Sequence, residues 1–167
     1  MGLVEDYLTD IRPQISDGVF NFLNTADRKL RQNIEKEAEI TVYSYEATPE
    51  AEAQRRYQIG ADEALYTSVD GDGDIFRITI LNMTRPHDPA NWGNRYVADP
   101  VETGDESFNQ GKPGPRPFMQ NALYEYLDFG EADNDLQDAL IGAGFDATVI
   151  PSGQYSADAE GVTILPF

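Results

Sequence analysis

The sequence predicts an α+β fold: a small antiparallel β-sheet packed by a long N-terminal helix and by a later helix led by Arg-Pro-Phe, with an extended C-terminal arm. Three observations predict it. Apolar residues recur at helical spacing from Ile15 to Ile34. Two β-branched and aromatic stretches flank an Asp-Gly-Asp-Gly turn at 70–73. Pro117 opens a segment whose apolar residues fall on one helical face. The 167 residues suit one domain, read as a body over 1–150 and an arm over 151–167.

Each element has a local reason. Val4, Tyr7, Leu8 and Ile11 keep helical spacing, and Pro13 is expected to end or kink that turn. A longer helix is then expected, with Ser16 as N-cap and Asp17 in its first turn. Its stripe is Ile15, Val19, Phe20, Phe22, Leu23, Ala26, Leu30 and Ile34, opposite a face carrying Asp27, Arg28, Arg31, Glu35 and Lys36. Glu39–Tyr45 alternates like a short strand. Thr48-Pro49 starts a helix expected to run to about Gly60, or on toward Leu65. Strands follow at Leu65–Val69 and Ile75–Leu81.

Residues 84–95 and 103–116 read as loops rich in Gly and Pro. Phe118, Ala122, Leu123, Tyr126 and Leu127 share a face of the Pro117-led helix. A further helix is expected over Glu131–Leu140, closed by Gly142 and Gly144. The apolar tip Val162–Phe167 hangs on a small polar tether, 151–161. Such a tip reads as an arm that docks on its own domain or on a neighbour.

Thirty acids oppose twelve bases, a formal charge of −18. Only Lys29, Lys36 and Lys112 are lysines, and Cys is absent. This charge argues against nonspecific nucleic-acid binding, since DNA is itself a polyanion. It also opposes self-association in dilute salt, whereas at molar salt the Debye length falls to roughly 3 Å and exposed like charges stop repelling. The pattern reads as a protein of a salt-in halophile. Disulfides and thiolate sites are excluded, and no apolar run is long enough for a membrane span or a signal peptide.

Tests for chemistry return little. Asp70, Asp72 and Asp74 alternate, but a calcium loop starting at Asp70 needs Gly at its sixth position and Glu at its twelfth, where Ile75 and Leu81 stand. A turn with solvated carboxylates is the better reading, with adventitious cation binding in high salt left open. His87 is the single histidine, with neither a second His nor a nucleophile elbow to work with. No phosphate cradle and no basic patch occur. No catalytic, cofactor-binding or metal-binding residue is assigned, and no enzyme activity is expected.

Two short motifs carry more. The first is Asn94-Arg-Tyr-Val-Ala-Asp-Pro-Val-Glu-Thr-Gly104; the second, after a Gly/Pro-rich loop, is Gly114-Pro-Arg-Pro-Phe-Met-Gln-Asn-Ala-Leu123. Together they resemble the tail-completion proteins of long-tailed phages and tailed archaeal viruses. Tyr96, Glu102 and Gly104 match the first family motif; Arg116, Pro117, Phe118, Ala122 and Leu123 match the second. The order of elements agrees over about residues 15–127. The family's Pro-x-Asp-Thr-Gly segment is missing, with only Gly60-Ala61-Asp62-Glu63 near its place, which leaves tail completion, tail terminator and another head–tail adaptor ring open.

The resemblance implies a structural virion protein of the neck, not an enzyme. It implies a homo-oligomeric ring, with six copies expected, between head connector or adaptor proteins and tail terminator or tail tube proteins. Genomic DNA would pass through the lumen without specific binding, and an acidic lumen would repel it. No cofactor and no membrane partner are implied. The motif residues are expected to serve packing and interfaces, and Val162, Ile164, Leu165 and Phe167 to contact a neighbouring subunit. The competing class is an acidic cellular module that binds a protein partner through its Tyr-rich surface; a small hydrolase using acid pairs is weaker.

Overall fold

A computed structural model of the chain describes residues 9, 11–43, 59–72, 75–85, 96–104, 114–148, 156–158 and 161–163. It is an α+β fold, helix-rich, with a small antiparallel sheet packed against a long N-terminal helix and a C-terminal helix. Helix α1 spans Arg12–Glu37 and passes into a π-helical stretch, Ala38–Tyr43. A 3-10 turn at Asp62–Ala64 leads into β1, Leu65–Asp72, and then β2, Ile75–Asn82. Helices α2, Ala98–Thr103, α3, Phe118–Asp128, and α4, Glu131–Gly142, come next. Two short strands close the order, β3 at Ser156–Asp158 and β4 at Gly161–Thr163. The sheet order is β1-β2-β4-β3, with β4 antiparallel to both β2 and β3.

Several local expectations are corrected. Helix α1 starts at Arg12, so Pro13 lies in its first turn and Ser16 and Asp17 lie inside it. Residues 9 and 11 are π-helical, so Pro13 sits where that irregular turn passes into regular α-helix. The strand expected over Glu39–Tyr45 is helical through Tyr43. Its alternation was misleading: Ile34, Ala38 and Val42 continue the buried stripe at a spacing of four, while Ile40 stays 52% exposed. The expected helix before β1 does not reach Leu65, because Gly60 lies in a turn. Its start at Thr48-Pro49, the segment around Val4–Leu8, and His87 lie outside the described residues.

The chain groups into two compact units, each built from separated segments. Where the sequence reading separates 1–150 from 151–167, residues 126–167 here group with 1–29 and 67–79 in one unit, and residues 30–66 and 80–125 form the other.

In the first unit, Phe22, Leu23 and Ala26 of α1, Ile78 of β2, and Tyr126, Leu127 and Ala132 are buried. Phe20 meets Phe76 edge-on, with ring centroids 5.2 Å apart. Gly18 permits close helix packing, since a Cβ there would lie 3.1 Å from Leu140 Cδ2 and 3.2 Å from Ala143 Cβ. Asp135 binds Lys29 Nζ at 2.9 Å and accepts the Tyr126 hydroxyl at 3.0 Å. Thr67 donates to Asp27 at 2.7 Å, tying β1 to α1.

In the second unit, Ile34, Ala38, Val42, Ile59, Leu65, Ala98, Val101, Phe118 and Ala122 form one apolar cluster, with Tyr43, Ile80, Val97 and Met119 packed against it. Phe118 has no exposed surface. Phe129, in the α3–α4 turn, is 78% exposed. Truncating these two aromatics should therefore give opposite results. Phe118→Ala is expected to lose about 3–5 kcal/mol by transfer and cavity terms. Phe129→Ala is expected to stay within about 0.5 kcal/mol of the parent. Urea unfolding followed by circular dichroism checks both.

Candidate functional site

The two motif segments meet in the second unit, across the ends of the chain stretch 105–113. Four features join them. The Arg116 N–H donates to the Val101 carbonyl at 3.0 Å. The Glu102 carboxylate accepts the backbone N–H groups of Met119 and Gln120. Gly104 crosses Gly114-Pro115 so closely that a Cβ on it would lie 2.4 Å from the Pro115 nitrogen. Phe118 and Ala122 share the apolar cluster with Ala98 and Val101.

Glu102 solves a problem that α3 has by itself. Pro117 precedes the helix, and its carbonyl accepts the Asn121 N–H at 2.8 Å, but proline has no side-chain oxygen to cap the first amides. Glu102 reaches over from α2 and serves two of them, placing a carboxylate at the positive end of the helix. Burial pushes its carboxyl from an ordinary 4.5 up to about 7, and the two backbone donors pull the other way.

Tyr96 lies apart from that junction. Arg85 places its guanidinium 4.2 Å from the Tyr96 ring centroid, and its Nη2 donates to the Tyr96 hydroxyl at 3.2 Å. Val97 N–H, one residue on, donates to the Thr84 carbonyl at 2.9 Å and so fastens the start of α2 to the end of β2. Leu123 of α3 is only half-buried.

A second clamp closes the ends of the stretch 44–58, and nothing in the sequence pattern announces it. Ile59 donates its N–H to the Tyr43 hydroxyl and accepts Asn82 Nδ2 at its carbonyl. Asn82 Oδ1 also accepts the Thr84 hydroxyl at 2.7 Å and the Thr84 N–H at 3.0 Å, so this buried amide is well satisfied. Gly60 fits beside α1, since a Cβ there would lie 2.6 Å from the Ala38 Cβ.

Of the C-terminal arm, Val162 pairs with Ile78 and Thr163 with Arg77 of β2 in the same chain. Ile164, Leu165 and Phe167 lie outside the described residues. Asp70 is exposed and accepts Ser68 Oγ at 3.3 Å; Asp72 ends β1, and Asp74 is outside the described residues. Among the described residues no cluster of His, Asp and Glu could hold a metal ion. Among the same residues no helix is long and apolar enough to cross a membrane.

No protein-family model, no curated protein and no solved structure matches this chain.

The crossing at Gly104 yields a contrast. Gly104 and Gly114 both hold a positive φ, of 73° and 98°, but only Gly104 is hemmed in by backbone atoms. Gly114→Ala is expected to cost about 1–2 kcal/mol, the price of a left-handed conformation for an L-residue. Gly104→Ala adds a backbone clash and should cost more. Thermal midpoints should fall in the order parent, Gly114→Ala, Gly104→Ala; equal midpoints for the two variants would contradict the crossing.

Proposed function

We propose that the chain is a structural subunit of the neck of a tailed virus, forming a ring that joins the head connector to the tail and lets DNA pass. The observation that carries this reading is the meeting of the two motif segments. They are the parts of the sequence that resemble tail-completion proteins, and Glu102, Gly104, Arg116 and Phe118 come from both sides of one junction. In this reading the junction fixes the two ends of the 103–116 loop, the candidate for contact with the next ring or for facing the channel.

The charge supports the same reading. A subunit with a formal charge of −18 can line a channel that DNA slides through without sticking. Ring subunits use different surfaces on their two flanks, and a rotation that closes limits the assembly to a fixed number of copies. Six copies and a tail-completion position are the specific form proposed; a tail terminator or another adaptor ring uses the same physics. The virion of a halophile's virus is the proposed location.

The alternative, an acidic module that binds a cellular partner, draws on the exposed apolar residues Tyr66, Leu81 and Met83 at the base of the hairpin. Electron microscopy of the purified chain distinguishes the two. At about 1 M salt, where the Debye length is roughly 3 Å, closed rings with a central channel are expected. At about 0.15 M the rings should give way to smaller species. Single copies at both strengths would contradict the neck reading and favour the binding module.

A further inference from the structure

We propose that Phe129 on one copy of the chain seats against the outer face of the β1–β2 hairpin on a second copy, over Tyr66, Leu81 and Met83. The proposal rests on the ring reading for the assembly of copies and deepens it by naming the two flanks that meet. Each flank is built within one compact unit, the aromatic in the first and the hairpin base in the second.

The hairpin base has a well-defined outer face. Met83 donates its N–H to the Ala64 carbonyl at 2.7 Å, which sets Tyr66 opposite Leu81 in the antiparallel pair. Along β2 and just past its end, Asn82 and Thr84 are buried while Leu81, Met83 and Arg85 are exposed, so side chains alternate between two faces. A sheet face left to water is ordinarily polar. This one shows exposed Tyr66, Leu81 and Met83, with Arg85 at one end. Aromatic residues, Met and Arg are the types that interfaces favour. Acids stand at the rim, in the 3-10 turn, where Asp62 pairs with Arg31 and Glu63 is exposed. None of the four positions on the face is acidic, in a chain with thirty acids.

The opposing flank is a single aromatic. Phe129 is largely exposed in the α3–α4 turn, between buried Tyr126 and Leu127 on one side and buried Ala132 on the other. Gly130 turns the chain at a φ of 72°, and its N–H donates to the Leu127 carbonyl at 3.4 Å, so the ring stands on a fixed turn. Asp128 and Glu131 flank it, both exposed, with the Glu131 carboxylate 3.8 Å from Lys29 Nζ.

These flanks complement each other in shape and in charge. A projecting ring meets a flat apolar face, and the carboxylates beside the ring meet Arg85, which Tyr96 holds in place at 4.2 Å. Pairing like with like would set acid against acid or Arg85 against Arg85, so the unlike pairing is the favourable one. The chain itself thus supplies the acid-flanked aromatic that the face fits, which is why the occupant is a second copy. Unlike flanks make a heterologous contact, the kind that repeats around a ring. A specific interface takes about 800 Å² per partner, so the ring and the face are its centre rather than its whole.

Sedimentation velocity of the full chain at about 1 M salt reads the contact, because screening there removes the repulsion between acidic copies. The parent should form assemblies of several copies. Phe129→Ser, and separately Leu81→Thr with Met83→Thr, should each weaken association about thirtyfold or more and sediment as single copies. An equal mixture of the two variants should give pairs and nothing larger, because each keeps the flank that the other lacks; pairing in the mixture also shows that both variants fold. Assembly of either variant as in the parent, or a mixture that stays single, would overturn the contact and leave the ring to other flanks. Parent copies that join through this contact but grow into open chains would uphold the contact and contradict the neck reading. A parent that stays single at this salt would overturn both and favour an unlike protein on the hairpin face.

Discussion

Phe118 is held without exposed surface among Ala98, Val101 and Ala122, and that burial is the constraint on which the second unit depends. Bringing the ends of a stretch of about ten residues together costs roughly 2 kcal/mol of chain entropy. The hydrogen bond from Arg116 to Val101 returns only about 1 kcal/mol net. Burying one large aromatic contributes roughly 2–3 kcal/mol, enough to tip the balance. The polar contacts at Glu102 and the fit at Gly104 then select one geometry for a closure that apolar burial has already made favourable.

Charge is organised differently. Three bases on α1 are committed to acids: Lys29 to Asp135 and, at 3.8 Å, Glu131; Arg31 to Asp62; and Lys36 to Glu125. Asp62 is 75% exposed, so the Arg31 pair is of the kind worth at most about 1 kcal/mol and weakened by salt. Arg31 gains more from its bonds to the Asp62 and Leu65 carbonyls, which fix the approach to β1. With thirty acids to twelve bases, most of the acids have no base to pair with. The fold thus rests on apolar clusters, and salt acts mainly on repulsion within and between chains.

Elements with strong local chemistry were legible in the sequence. The Asp-Gly-Asp-Gly turn announced the β1–β2 hairpin, and Gly142 and Gly144 marked the end of α4, where Gly144 holds a φ of 97°. The stripe from Phe22 to Ile34 was read correctly because its period is unambiguous over several turns. It failed at Ala38–Tyr43, where six residues can match a period of two or of four, and the buried Ala38 decides. Ser16 reads as a boundary signal, yet it lies inside the helix. Of the site, the motif residues were visible as types, and their meeting was not. Glu102 caps a helix that begins sixteen residues later, and no spacing rule encodes a cap supplied from another element. The Ile59 clamp was invisible for the same reason, because its partners Tyr43 and Asn82 are distant in sequence.

The second unit thus carries two clamps, one at Ile59 and the other at Glu102 and Gly104. Native-state hydrogen exchange at Arg116 and Met119 is the most direct measurement of this arrangement. Their donors are committed to Val101 and Glu102, so at mildly acidic pH they should exchange only through the same opening that exposes the α1 amides around Ile34 and Ala38. Exchange at the rate of an unstructured chain, with α1 still protected, would show that the two motif segments do not close on one core.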